Sequence, residues 1–362
     1  MRYRTHFLSA GLLSMLCSAA WAQYTITEYS NGLTPGAPQC IAKGPDGNLW
    51  FTEYYNGIGR ITPSGVITEY TAGLTSNSYP WGIALGPDNN LWFIELNANQ
   101  VARINPYTGL ITEYPLPNPG SQPVMIAAGS DGNMWFTEET GNRIGRINLS
   151  TFVISEYTTG LTLNSQPTGI APGPDGNLWF VESLACKVGK INPNTFLITE
   201  YSNGLTSDSQ PNGIVAGSDN NLWFTEGLTN KIGRVTTTGA ITEFSAGITS
   251  GAFPSLIAAG PDGALWFTEQ QGNRIGRITT TGSVTEYPIS TSSSVPYGIA
   301  QGPDSAMWFA ENSASKIGRI AVPTAAAVPT LSQLGVFMLA GLLAAAAALG
   351  LRRGTRPRAS AS

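Results

Sequence analysis

The sequence has little histidine, little cysteine and little charge, and each scarcity excludes a class of function. Of 362 residues, one is histidine, three are cysteine and 12% are charged. The one histidine, His6, lies in the N-terminal segment, so the rest of the chain has no imidazole for proton transfer near neutral pH. No Cys-x-x-Cys pair, Gly-rich phosphate loop or Ser-centred nucleophile elbow is present, which removes the usual signals of those sites.

Basic residues are too few for a nucleic-acid-binding surface. Residues 23–327 contain all 23 Asp and Glu but 13 of the 19 Lys and Arg, so this part carries a net charge of −10. Phosphate backbones are bound by stripes of Lys and Arg, which this acidic body lacks. The sequence therefore predicts no nucleic-acid partner.

The N-terminus has the three-part pattern of a secretory signal. Two arginines precede an apolar run, and Ala20-Trp21-Ala22 follows it, with small residues where signal peptidase requires them. We expect residues 1–22 to be removed after Ala22, and the protein to be exported.

The C-terminus predicts a membrane-spanning sorting tail. Residues 322–330 form a linker rich in Ala and Pro, residues 331–351 are uncharged, and residues 352–362 carry four arginines. An apolar run of this length can cross a bilayer, and basic residues stay on the cytoplasmic side. The motif Val328, Pro329, Thr330, Leu331 resembles the Ile-Pro-Thr-Leu signals that exosortase-type enzymes process in Gram-negative bacteria. That resemblance implies processing at the cell envelope, with a plain membrane anchor as the alternative.

A Trp-Phe pair recurs seven times and predicts a seven-bladed β-propeller. Its tryptophans are spaced by 42 to 44 residues, the length of one four-stranded blade. They are Trp50, Trp92, Trp135, Trp179, Trp223, Trp266 and Trp308. Gly, Pro and Asn bound the short β-branched and aromatic runs between them, as expected for strands joined by tight turns. The predicted fold is all-β, with the propeller over residues 23–321.

The repeat starts and ends half-way through a blade. The body begins with the fourth-strand motif Ile-Thr-Glu-Tyr at residues 26–29 and ends with a third strand near residue 320. Pairing these two strands would close the ring and leave no exposed edge. Cys40 and Cys186 fall in repeats one and four, too far apart for a disulfide, and are predicted to be isolated buried thiols.

The repeated motifs Gly-Pro-Asp-Gly-Asn-Leu-Trp-Phe-Thr-Glu, Ile-Gly-Arg-Ile and Ile-Thr-Glu-Tyr resemble the virginiamycin B lyase family over residues 25–321. The resemblance implies a seven-bladed propeller and, in active members, Mg²⁺-assisted opening of a cyclic depsipeptide antibiotic by elimination. In those members a histidine after the proline of a late blade acts as the base. The residues after the corresponding prolines here are Gln39, Trp81, Val124, Thr168, Asn212, Ser255 and Tyr297. None is histidine, so no catalytic residue and no metal ligand is predicted.

Of the 23 acids, 21 occur once per repeat, which indicates a role in the blade itself. We predict that the Glu ending each Trp-Phe strand pairs across strands with the basic residue of the Gly-Arg-Ile motif. The glutamates are Glu53, Glu95, Glu138, Glu182, Glu226, Glu269 and Glu311. The basic residues are Arg60, Arg103, Arg146, Lys190, Arg234, Arg277 and Arg319. The Asp repeated in each Gly-Pro-Asp turn is predicted to form the turn rather than to bind Ca²⁺.

Function is expected where the repeats differ, at the residues after the prolines. Gln39, Trp81, Asn212 and Tyr297 would offer aromatic, amide and phenol groups at one mouth of the channel, a chemistry suited to a small molecule, glycan or peptide. An alternative is that these side chains fill the channel. The sequence favours a binding module without a cofactor; a lyase-like enzyme, with Mg²⁺, is the second hypothesis.

Overall fold

Seven antiparallel sheets of four strands each form the propeller, as the Trp-Phe spacing predicts. The computed structural model describes residues 24–55 and 57–322, which contain 28 strands and no helix. Within those ranges there is accordingly no helix that could span a membrane. The predicted signal peptide with Ala22, the sorting motif Val328–Leu331, the membrane span and the basic tail lie outside the described residues.

In six blades the four strands lie in chain order from the channel outwards, and in the seventh the N-terminal strand β1 takes the outermost place. The innermost strands are β2 (Pro38–Lys43), β6 (Pro80–Leu85), β10 (Pro123–Ala128), β14 (Pro167–Pro172), β18 (Pro211–Ala216), β22 (Pro254–Ala259) and β26 (Pro296–Gln301). The second strands are β3 (Leu49–Glu53), β7 (Leu91–Glu95), β11 (Met134–Glu138), β15 (Leu178–Glu182), β19 (Leu222–Glu226), β23 (Leu265–Glu269) and β27 (Met307–Glu311). The third strands are β4 (Gly57–Ile61), β8 (Gln100–Ile104), β12 (Arg143–Ile147), β16 (Lys187–Ile191), β20 (Lys231–Val235), β24 (Arg274–Ile278) and β28 (Lys316–Ile320). The outer strands are β5 (Ile67–Tyr70), β9 (Ile111–Pro115), β13 (Ile154–Tyr157), β17 (Ile198–Tyr201), β21 (Ile241–Phe244), β25 (Val284–Pro288) and β1 (Ile26–Tyr29).

The N-terminal strand closes the ring, which confirms the prediction from the half-blade offset. Strand β1 is the outer strand of the sheet β1-β28-β27-β26, with Ile26 opposite Ile320 and Tyr29 opposite Ile317. One further backbone bond joins Ala321 N to Thr25 O at 3.0 Å. The last blade therefore has its edge paired like the other six.

A Trp–Asp–cation unit holds one face of each blade. In all seven blades the indole Nε1 donates to the turn Asp four residues earlier, at 2.9–3.1 Å. The basic residue of the third strand lies directly opposite the Trp, as Arg146 does to Trp135, and over its ring. The outer Tyr or Phe stacks on the same indole. The predicted turn role of the Asp is confirmed.

The predicted pairing of the repeated Glu with these basic residues is wrong. Arg60, Arg103, Arg146, Lys190, Arg277 and Arg319 form their ion pairs with the turn Asp instead, and Arg234 lies over its Trp and donates to Thr280 O. The reason is register: the Glu stands three residues after the Trp and so on the opposite face of the sheet. There Glu53, Glu95, Glu138, Glu182, Glu226, Glu269 and Glu311 are fully buried.

Both cysteines are free thiols, as predicted. Cys40 is 4% exposed, whereas Cys186 is half-buried rather than buried.

Candidate functional site

Each innermost strand begins with a bulge that frees the residue after its proline from the sheet. The ladder pairs Pro38 with Glu53 but Ile41 with Phe51, which places one extra residue on the innermost strand. The same shift occurs in the other six blades. Bulges of this kind redirect side chains and are common beside binding sites. They explain why the post-proline side chains can turn toward the channel.

The mouth of the channel is bordered by three positions per blade. They are the residue before the proline, the residue after it, and the residue following the second strand. In every blade the N–H of the third position donates to the carbonyl of the first, as Tyr54 N does to Ala37 O at 3.1 Å. The first set is Ala37, Tyr79, Gln122, Gln166, Gln210, Phe253 and Val295. The third set is Tyr54, Leu96, Glu139, Ser183, Gly227, Gln270 and Asn312.

Three of the four predicted ligand-binding residues converge in the centre of this mouth. The rings of Trp81 and Tyr297 meet edge to face, with centroids 5.4 Å apart. Asn212 lies near the Tyr297 phenol, whose pKa it lowers against the effect of burial, and Asn212 Nδ2 donates to Ser255 Oγ at 3.4 Å. Trp81 Nε1 is buried and has no hydrogen-bond partner among the described residues. Gln39 and Tyr297 are only 5% and 9% exposed, so they can present little surface, whereas Trp81 and Asn212 are half-buried. The blades joined here are the second, fifth and seventh.

Aromatic rings continue from Trp81 to the rim of the propeller. Tyr54 lies edge to face with Trp81 at 5.8 Å and stacks on Tyr79 at 4.3 Å between ring centroids. Tyr55 lies against both tyrosines and is 68% exposed. A groove of about 220 Å³ between the first two blades is lined by these tyrosines and by hydroxyl and amide groups of residues 75–78. The mouth is thus an aromatic surface bordered by polar groups, and Tyr297 at its centre is buried.

Two buried threonines fix the backbone at the centre of the mouth. Thr52 Oγ1 accepts from Cys40 N at 3.1 Å and donates to Trp81 O of the next blade at 2.5 Å. Thr268 Oγ1 makes the same bridge to Tyr297 O at 2.7 Å. Because these hydroxyls join neighbouring blades, the carbonyls beside the two central rings have fixed positions.

Below the mouth, apolar side chains line the channel. Cys40, Met125 and Leu256 occupy the position where the other four blades carry glycine, and they line a cavity of about 130 Å³. The glycines are required because adjacent strands pass closely; a Cβ on Gly298 would lie 2.4 Å from Gln39 O.

The predicted ligand-binding set lacks three residues of this site: Tyr54, Tyr79 and Glu139. Tyr54 and Glu139 occupy the same place in different repeats, directly after the buried Glu of the second strand. That position varies between blades as much as the post-proline position does, and this variation was the available signal. Tyr79 is half-buried and precedes the proline of the second blade.

Electrostatically, the mouth is governed by burial and by a single carboxylate. Burial raises the pKa of the Tyr297 phenol, and Cys40 raises it further. The Trp81 and Asn212 side chains oppose the rise, and the charge of Glu139 adds a smaller increase. Burial also raises the pKa of Glu139 itself. In residues 24–55 and 57–322, no three His, Cys, Asp or Glu side chains converge as metal ligands. Among the mouth positions Glu139 is the single carboxylate and no imidazole is present, so a Mg²⁺ bound there would have one protein ligand and no histidine base beside it.

The sequence matches one protein family over most of its length. The model of the virginiamycin B lyase family matches residues 17–204 and 197–331. Among solved structures, virginiamycin B lyase from Staphylococcus aureus is 39% identical, with 83% of this chain and 100% of that chain covered and a TM-score of 0.76. A streptogramin B lyase is 36% identical, covering 84% and 100% of the two chains with a TM-score of 0.78. No protein of curated function matches the sequence.

Proposed function

The chain belongs to the virginiamycin B lyase family, and from that premise we propose that it is an exported binding propeller rather than a lyase. One observation carries the proposal: the channel mouth presents a cluster of aromatic rings but has no imidazole at any of its positions. Elimination needs a base that takes a proton from carbon, and near neutral pH that base is usually histidine. Fold alone does not transfer the activity of the relatives.

The ligand proposed for this mouth is a small molecule, glycan or peptide that stacks on Trp81. Trp81 is the central ring of the cluster, because it meets both Tyr297 and Tyr54. Asn212 and the polar residues of the groove would provide hydrogen bonds. An amphipathic aromatic surface with a few polar groups is the usual composition of such sites.

A binding screen on residues 23–327 tests this function. Glycan and peptide libraries should yield at least one ligand, and Trp81→Ala should weaken its binding at least about tenfold, because a central aromatic anchor contributes about 2 kcal/mol or more. Tyr107→Ala is the matched control, since this tyrosine is 70% exposed on a third-to-fourth-strand loop away from the mouth. Equal affinity of wild type and Trp81→Ala for every ligand found would remove the mouth as the binding site.

A second candidate function is a lyase with another substrate, and family membership is the observation that favours it. In that case the proton acceptor would have to be a carboxylate, since the propeller has no histidine. Ring opening of streptogramin B antibiotics distinguishes the two functions.

We also propose that the propeller is displayed at, or released from, the cell envelope of a Gram-negative bacterium. The support is the sequence of the two termini: the signal pattern before Gln23, and the uncharged run 331–351 followed by four arginines. We expect mass spectrometry of the protein from its native cell to find cleavage near Val328–Leu331. An intact C-terminus at Ser362 would instead indicate a plain anchor, and an N-terminus at Met1 would argue against export.

A further inference from the structure

Glu139 is the one charged side chain at the channel mouth. Seven blades contribute three positions each, and the other twenty residues are neutral: aromatic, aliphatic, hydroxyl or amide, or glycine. None of the 13 Lys and Arg of residues 23–327 occupies a mouth position. A unique charge in an otherwise neutral opening is a feature of a specific site, not of the blade repeat.

The blade does not require Glu139, unlike the repeated acids. The turn Asp residues bind the Trp indoles, and the outer-strand glutamates bind residues of the loop that enters the blade. Glu139 is half-buried, and its carboxylate makes no hydrogen bond or ion pair with the described part of the chain. Asp208 is the other acid outside the repeat, but it is exposed on a loop.

The carboxylate of Glu139 borders the same opening as the aromatic rings. Glu139 N donates to Gln122 O at 3.0 Å, as Tyr54 N does to Ala37 O, so the two side chains leave the backbone at equivalent points two blades apart. In the first blade, the Tyr54 ring extends from its point to Trp81, with 5.8 Å between the ring centroids. Glu139 also lies near enough to the centre for its charge to add a small increment to the rise that burial causes in the pKa of Tyr297. A ligand in the mouth therefore meets an aromatic face and a carboxylate.

A carboxylate beside aromatic faces attracts cations for two independent reasons. A partly desolvated carboxylate without a partner is costly, and an opposite charge relieves that cost. The negative faces of Trp and Tyr attract an ammonium group as well, most strongly where water is excluded. Anions are disfavoured by the same carboxylate.

We propose that the channel mouth binds a small organic cation, an alkylammonium group that pairs with Glu139 and packs against Trp81. The inference rests on the proposed binding function and narrows its ligand class. With this site the mouth prefers cations over neutral ligands. The acids repeated in every blade do not supply that preference, because they are already paired or buried.

The experiment compares a cation with its neutral isostere on the propeller, residues 23–327. Choline and 3,3-dimethyl-1-butanol have the same shape and differ in charge. We expect calorimetry or NMR titration at pH 7.5 to give at least about tenfold tighter binding of choline, and Glu139→Gln to abolish this preference while leaving the alcohol unaffected. Asp208→Asn removes the same charge from an exposed loop and should change neither affinity.

Every other result overturns the proposal. Equal affinity for the two compounds, or no detectable binding of choline, excludes a cation site. An equal effect of Asp208→Asn and Glu139→Gln would assign the preference to the net charge of the body. The proposed function is judged separately: if Trp81→Ala still abolishes binding of a ligand from the glycan and peptide screen, the mouth is a binding site without cation selectivity.

Discussion

Raising the pH from about 5 to about 9 is expected to lower the Tm of the propeller by about 15 °C or more. The cause is the ring of seven fully buried glutamates that end the second strands. Within residues 24–55 and 57–322, twelve of their fourteen carboxyl oxygens have no hydrogen-bond partner. Burial, reinforced in each blade by the neighbouring outer-strand Glu, raises their pKa to about 8, and to about 7 for Glu138.

The sign of this effect follows from proton binding. Unfolded glutamates have a pKa near 4.5, so between about 4.5 and 8 the folded state binds more protons than the unfolded state, and the free energy of unfolding falls as pH rises. One pKa unit corresponds to about 1.4 kcal/mol, so a rise of a single unit at each of seven sites amounts to roughly 10 kcal/mol. At about 2–4 °C per kcal/mol, a loss of free energy of this size corresponds to a fall in Tm of at least about 15 °C.

A second set of carboxylates opposes this trend at acid pH. Hydrogen bonds lower the pKa of turn Asp residues against the effect of burial, as at Asp131, Asp262 and Asp304. Their contribution to stability is present above their unfolded pKa and is lost as pH falls through the folded one. The two sets together place the maximum of stability near pH 5.

Two single variants separate this account from a general effect of net charge. Glu95 has the neutral Gln100 opposite it in the sheet, so Glu95→Gln should raise the Tm at pH 9 and reduce its pH dependence. Glu138 accepts from Arg143 at 3.3 Å, so Glu138→Gln leaves that cation with one partner fewer and should stabilise less. Thermal unfolding followed by circular dichroism from pH 5 to 9 measures both. A Tm that is constant or rises with pH would contradict the buried-carboxylate account.

Most of the fold was predictable from sequence because its determinants are local and repeated. Each Trp-Phe strand lies next to its turn and its neighbouring strands, and the half-blade offset specified that β1 (Ile26–Tyr29) pairs with β28 (Lys316–Ile320). The error in the ion pairs arose from side-chain direction. Trp135 and Glu138 are three residues apart and face opposite sides of the sheet, and the acid actually beside Trp135 is the turn residue Asp131.

The site was less predictable because it is assembled by ring closure. Trp81 and Tyr297 are more than two hundred residues apart in sequence. They meet because the ring brings the second and seventh blades together around the channel. Burial of Tyr297 depends on which other side chains enter the channel. Glu139 is an acid outside the repeat, but its place at the mouth follows from the backbone bond of its N–H to Gln122 O.

Opening of streptogramin B antibiotics is expected to be at least about 10⁴-fold slower than with the Staphylococcus aureus lyase, because proton transfer alone supplies roughly 10²–10⁴ of such a rate and the metal supplies more. The seven post-proline side chains are amide, hydroxyl, phenol, indole and aliphatic groups. The Tyr297 phenol cannot replace the imidazole, since burial raises its pKa further from neutrality. The buried glutamates lie on the second strands rather than in the mouth, and burial raises their pKa, which leaves less of the carboxylate form near pH 7.

Linearisation of a streptogramin B antibiotic by purified residues 23–327, with and without Mg²⁺, therefore tests the central claim most directly. The S. aureus enzyme, assayed in parallel, is the positive control, and the product is quantified by mass spectrometry. The account predicts no opening above the rate in buffer, under either condition. Mg²⁺-dependent linearisation that Glu139→Gln or Tyr297→Phe abolishes would contradict it, and would make this propeller a lyase with a base other than histidine.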